Sequence, residues 1–180
     1  MSNGRVGLPP AYDVSVVTSG AWWTAEDPSL RIPRPAASAV AIWSVGEGPS
    51  VLLVPPAPGT HDLWAPISFR LRHLRTVHAV ERGAMSFADD VDYVVTAAEA
   101  VGARTLVGFS GDTDVLRQAG VDASVVDLIL VLSPPGDAVP ARSDAVRMQT
   151  VDVSTNDAES LSAVDAERLI AHLSEGMVDR

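Results

Sequence analysis

Residues 86–127 read SFADDVDYVVTAAEAVGARTLVGFSGDTDVLRQAGVDASVVD. Val91, Val94, Val95, Ala98 and Val101 recur at i, i+3, i+4, i+7 and i+10, laying one apolar stripe along a helix. Ser86, with Asp89 three residues on, supplies its N-terminal cap. Gly102 supplies the stop, because glycine adopts the left-handed conformation there without a Cβ penalty. Thr105–Phe109 (TLVGF) is short and apolar and predicts a buried strand. Asp112 or Thr113 then caps a second helix that ends at Gly120. Helix, strand and helix in close succession are the units of an α/β fold. They also put Ser110-Gly111-Asp112 at the carboxyl end of a strand, where open α/β sheets carry their sites.

Working outward, Asp13–Thr18 (DVSVVT) and Val146–Val153 are predicted strands, on alternation and valine content. Ala39–Val45 and Ser50–Val54 are apolar runs joined by Gly46-Glu47-Gly48-Pro49, which predicts a β-hairpin. Leu63, Trp64, Ile67, Leu71 and Leu74 fall near helical spacing, with Pro66 in the first turn. Val77–Val80 is a short strand candidate. Val125–Leu132 is apolar all round, so its period does not separate a buried strand from a buried helix. Ser162 and Asp165 open a last helix carrying Leu169, Ile170 and Leu173, closed by Gly176. The expected fold class is α/β: a single three-layer domain over residues 12–176 with a mixed, mainly parallel sheet and helices on both faces. Residues 1–11, rich in Pro and Gly, are expected to be a flexible lead-in.

Of 180 residues, 47% are hydrophobic and only 5% aromatic, so Val, Leu, Ile and Ala must fill the core. All 13 basic residues are arginine, and the formal charge of −10 opposes binding to nucleic acid or anionic membranes. The absence of cysteine removes disulfides, thiolate metal sites and thiol nucleophiles. The first residues lack an apolar leader segment, and no run of apolar residues is long enough to span a bilayer. A cytoplasmic protein is the expectation.

Gly108-Phe109-Ser110-Gly111-Asp112 sits between strand and helix, as the G-x-S-x-G turn of a serine hydrolase would, but with Asp112 in the final glycine position. A triad built on Ser110 would draw its acid from Asp127 or Asp137 and its base from His172. The plainer reading gives Ser110 and Asp112 capping roles. His61, His73 and His78 fall in no metal-binding or catalytic spacing and are expected at the surface or in loops. The run Asp89, Asp90, Asp92 is expected to be solvated at the positive end of its helix. There is neither a P-loop nor G-x-G-x-x-G, so no cofactor and no metal is assigned, and no residue is assigned as catalytic. Trp22 and Trp23, in a Pro-bounded segment, together with Trp64, Ser110 and Asp112, form the expected partner or ligand surface. Arg31, Arg34, Arg70, Arg72 and Arg75 flank that region and offer anion contacts.

Val51–Pro55 (VLLVP), Val107–Asp112 (VGFSGD) and Val121–Ser124 (VDAS) fall in an order that resembles the N-terminal domain of the creatinase and aminopeptidase P (prolidase-like) family. The resemblance covers roughly residues 12–132. It departs after that, where SPPGDAVPARSDAV stands in place of the family's linker, and the catalytic pita-bread domain with its metal ligands has no counterpart. The resemblance implies a stand-alone, non-catalytic interaction domain, a homodimer or the partner of a separately encoded enzyme subunit, helping to form an interface or pocket. The alternatives are a small serine-type hydrolase using Ser110 and His172, and a module or cofactor-free enzyme that binds a small molecule.

Overall fold

The computed structural model describes residues 13–18, 39–125, 127–132, 146–152 and 163–175. The expected lead-in, Trp22, Trp23 and the Gly176 stop lie outside the described residues. Among the described residues seven strands form one sheet: β1 (Asp13–Thr18), β2 (Ala39–Val45), β3 (Ser50–Leu53), β4 (Thr76–Val80), β5 (Thr105–Phe109), β6 (Asp127–Leu132) and β7 (Arg147–Asp152). Their spatial order is β1-β2-β4-β3-β5-β6-β7. All neighbours are parallel except β2 and β4.

Four α-helices among the described residues cover the sheet: α1 (Ala65–Leu71), α2 (Phe87–Val101), α3 (Thr113–Asp122) and α4 (Ala163–Glu175). Val51, Leu53, Val77, Ala79, Val107 and Phe109 point to one face and pack with Ile67 and Leu71 of α1 and Leu169 and Leu173 of α4. Leu52, Val54, Val80 and Leu106 point to the other and pack with Val91, Val94 and Ala98 of α2 and Leu116 and Ala119 of α3. Central strands buried on both faces read as continuous apolar runs, and TLVGF is one of these. The three-layer α/β fold is therefore as expected. Ser86 accepts from the Asp89 N–H, and Gly102 ends α2 at φ +59°, the cap and stop read from the sequence.

The hairpin is not formed. β4 lies between β2 and β3, pairing antiparallel with the first and parallel with the second. Residues 46–49 instead stride across the start of β4, a span of about 10 Å or two strand spacings. Glu47 N–H donates to Arg72 O at 3.3 Å, and Thr76 donates through its N–H to Pro49 O at 3.2 Å and through Oγ1 to Gly48 O at 2.8 Å. Gly46 holds φ +91°, and a Cβ on it would lie 2.3 Å from Arg75 O, so the crossing needs glycine there for both reasons. The cause is burial: Val77, His78, Ala79 and Val80 are all buried, and only a central position in the sheet covers both faces of β4.

His78 is correspondingly a core residue rather than a surface one. Its Nδ1 lies 2.6 Å from Ser44 Oγ and its Nε2 lies 3.2 Å from Ser50 Oγ, linking β2, β4 and β3 through neutral groups. Burial pulls its pKa down from 6.5 to about 4. The unfolded chain therefore binds a proton between these values that the folded chain refuses. Stability from the neutral ring is complete above pH 6.5 and falls as pH drops toward 4, by about 3 kcal/mol in all and about 2 kcal/mol by pH 5. Urea unfolding at pH 7 and pH 5 should show this loss, and His78→Gln should flatten the difference between the two. An equal pH dependence in both proteins would disprove the assignment.

Candidate functional site

β3, β4, β5, β6 and β7 run in one direction. The chain leaves β3 for β4 on one side through α1, then returns through α2 to β5 on the other side. The winding reverses between β3 and β5, and the crevice outside their carboxyl ends is where doubly wound sheets bind ligands. The segments that meet there are residues 54–60 after β3, Glu81 and Arg82 after β4, and Ser110–Asp112 after β5.

Arg82 ties these segments together. Its side chain is fully buried. Nε donates to Asp90 Oδ1 at 2.9 Å, and Nη2 closes the second arm of the fork on Asp90 Oδ2. Nη1 donates to Pro55 O at 2.7 Å and to Asp112 Oδ2 at 2.9 Å. The Arg82 backbone also exchanges both hydrogen bonds with Gly59, each 2.9 Å. One guanidinium thus fastens the turns after β3 and β5 and the first turn of α2, using the planar fork that only arginine offers. Burial works against its charge, but the hydrogen bonds and negative charges of Asp90 and Asp112 outweigh that and hold its pKa above the ordinary value. Asp90 is therefore not the solvated helix-start carboxylate expected; Asp89 and Asp92 beside it are exposed.

A second arrangement sits on the same edge. The His61 ring stacks on Trp43, with centroids 3.9 Å apart and planes 6° from parallel. Its Nδ1 is 3.1 Å from Glu81 Oε1, and its Nε2 is 3.4 Å from Asp62 Oδ1. Both carboxylates accept, so the proton of the neutral ring is assigned to the shorter contact, Nδ1 to Glu81, and Asp62 pairs with Nε2 once that nitrogen is protonated. Tyr93 OH donates to Glu81 O and braces the segment that carries the carboxylate. The imidazole side chain is 12% exposed and the Asp62 side chain 63%, so the ring is fixed while Asp62 stands in solvent. Among the described residues no three of His, Asp and Glu converge on a metal-sized site.

Ser110 opens the 3₁₀ turn Ser110–Asp112 that leads into α3, half-buried, and its carbonyl accepts from Thr113 Oγ1 at 2.6 Å. Gly108 lets α3 approach: a Cβ there would come within 2.4 Å of Leu116 Cδ1. Gly108→Ala should accordingly cost about 1–3 kcal/mol by overpacking. Urea unfolding should show a smaller loss in a Leu116→Val background, and an unchanged loss would remove the contact as its cause. Gly111, the variable position of that pattern, meets nothing within 4 Å, and Asp112, in the place of the pattern's second glycine, accepts from Arg82.

The expected site residues divide. Ser110 and Asp112 do lie at the switch point. Trp64 does not belong to a surface: it is fully buried and packs on Phe109 with centroids 5.4 Å apart. His172 is at the opposite edge, sharing a cleft with Thr105, Asp127 and Arg147, the first residues of β5, β6 and β7. The length of β5, about 16 Å, separates it from Ser110, so the Ser110–His172 pair is not made. His61, Glu81, Arg82 and Asp90 were missed. The run His61-Asp62 and the isolated arginine after a strand were the signals available, and neither names its partner.

No known family model and no curated protein sequence matches the chain. Solved structures similar to it include two enzymes. The N-formylmaleamic acid deformylase from Pseudomonas putida is 26% identical at a TM-score of 0.42, covering 56% of this chain and 47% of its own. A hydrolase from Oleispira antarctica is 18% identical at a TM-score of 0.41, covering 56% and 44%. The chain thus spans about half the length of either, and neither likeness assigns a residue of the site. Both are described as enzymes, and neither as a creatinase or aminopeptidase P N-terminal domain, which corrects that resemblance and the non-catalytic interaction role that it implied. The segments that carried it are the end of β3, the turn after β5 and the end of α3, structural punctuation that any doubly wound sheet supplies.

Proposed function

We propose that this chain is a hydrolase acting on a small acyl substrate in the crevice outside β3, β4 and β5, with His61 as general base and Ser110 as the nucleophile. The observation that carries the reading is the imidazole held by a carboxylate on Nδ1 and stacked on a tryptophan, leaving Nε2 ready to accept a proton at the ligand-binding edge of the sheet. In the forward step Nε2 takes the Ser110 hydroxyl proton as the serine oxygen bonds to the acyl carbon. The same proton passes to the leaving group as its bond to that carbon breaks. Water then repeats the sequence on the acyl-serine and restores Ser110. Glu81 keeps the ring in the productive tautomer, and exposed Asp62 faces the nitrogen that becomes positive.

A fluorophosphonate probe tests this directly. It should label the folded chain at Ser110, fail on Ser110→Ala and label His61→Asn far more slowly. Hydrolysis that survives in Ser110→Ala would remove the serine. Absence of both labelling and turnover across small esters and amides would overturn the reading.

A further inference from the structure

Glu81 and Arg82 follow β4 as adjacent residues, and their side chains part to opposite sides of the strand end. Glu81 meets the His61 ring at 3.1 Å, beside Trp43, whose ring belongs to the core under α1 and α4. Arg82 meets Asp90 of α2, on the other face. From there Nη1 reaches Asp112 Oδ2 at 2.9 Å, in the turn that carries Ser110. The same nitrogen donates to Pro55 O at 2.7 Å, and the Arg82 backbone pairs with Gly59, two residues before His61. Loops after three different strands are thus fastened to one dipeptide. Asp112 occupies the N-terminal cap position of α3, yet its side chain makes no capping bond. Its carboxylate is turned to Arg82 instead. A cap would serve the helix alone; a tie to a residue 30 positions away fixes where the turn stands relative to the end of β4. The turn is held at a second point, where Ser110 O accepts from Thr113 Oγ1 at 2.6 Å.

The structure assigns Arg82, acting through Asp112, as the positioning residue that sets Ser110 against His61, an inference that rests on the hydrolase reading above. Neither Arg82 nor Asp112 supplies a proton or a bond in the reaction. What the tie supplies is registration. Nucleophile and base must come within hydrogen-bond reach of one another in the reacting complex, and a displacement of about 1 Å there costs about 10²-fold in rate. A planar fork is needed to hold Asp90, Pro55 O and Asp112 together, which a lysine ammonium does not offer. A glycine at position 112, as in G-x-S-x-G, would leave the turn without this anchor.

The test compares wild type with Asp112→Ala and Asp112→Asn by fluorophosphonate labelling over a range of probe concentrations. The maximal labelling rate of Ser110 and the half-saturating probe concentration are read separately, per mole of folded protein, beside the melting temperature. Alanine cuts the tie and leaves the Arg82–Asp90 fork in place; asparagine keeps an oxygen that accepts from Nη1. Asp112→Ala should lower the maximal rate at least about tenfold with little change in half-saturation, and Asp112→Asn should restore most of it. Arg82→Lys, which keeps the charge without the fork, is a second variant and should lower the maximal rate as well. A merely structural tie would move the melting temperature and leave the labelling rate of the folded protein alone. Labelling of wild type and Asp112→Ala at the same rate would overturn the inference while the hydrolase reading stands. Equal losses in the alanine and asparagine variants would also overturn it, assigning the effect to charge. Wild type that does not label at all would remove Ser110 as nucleophile and the inference with it.

Discussion

Arg82→Met should lower folding stability by about 3–5 kcal/mol, the usual cost of removing one partner from a buried ion pair. Methionine fills similar space, so the loss is electrostatic rather than a cavity. Asp90, with 8% of its side chain exposed, loses its partner on both oxygens, and Asp112 loses the same guanidinium. Pro55 O loses a donor as well. Arg82→Lys keeps the charge but not the fork, so it should fall between wild type and methionine. The triple variant Arg82→Met, Asp90→Leu, Asp112→Leu should recover much of the loss, because uncharged groups of similar size leave no buried charge unpaired and only the Pro55 carbonyl without its donor. Urea unfolding of the four proteins separates these cases. A methionine variant that loses less than about 1 kcal/mol would mean that the cluster behaves as an exposed pair does.

His61→Asn should lower kcat/KM about 10²–10⁴-fold, the range that a positioned general base contributes. Asparagine can still hydrogen-bond Glu81 but has no basic nitrogen, so proton transfer is lost while local structure is kept. Glu81→Gln keeps the size of the side chain and removes the charge that fixes the ring's tautomer; a smaller loss in kcat with little change in KM is expected. Trp43→Leu removes the stacking platform and should lower activity through ring mobility. Unfolding curves for His61→Asn and Glu81→Gln should stay near wild type, since both residues sit at the rim of the core. Equal loss of stability and activity would assign His61 a structural role, and full activity in His61→Asn would remove it from the mechanism.

Legibility in the sequence followed locality. The α2 stripe, the Ser86 cap, the Gly102 stop and strand β5 depend on neighbours within a few residues, and each was readable. The placement of β4 between β2 and β3 depends on two-sided burial of a five-residue strand against elements far away in the chain. The Gly46–Pro49 segment carries the same glycines whether it turns tightly or strides over a strand, so composition alone favoured the hairpin. The site failed for the same reason. Arg82 binds residues 8, 27 and 30 positions away, and His61 binds Glu81 20 positions away. Ser110 and Asp112 were legible because a strand-to-helix turn is local. Their partners were not: chain order points to His172, which lies at the wrong end of β5.

By itself the sequence determined a parallel-rich α/β sheet with Ser110-Gly111-Asp112 at a strand's carboxyl end, because periodicity and capping act within a turn or two of the chain. Only the tertiary structure decided which strands are neighbours and which edge each histidine occupies. It alone revealed that Asp112 belongs to Arg82, and that the ordered imidazole beside the crevice is His61. Those outcomes depend on burial and charge pairing between distant segments, and the linear pattern of a single chain does not contain distances.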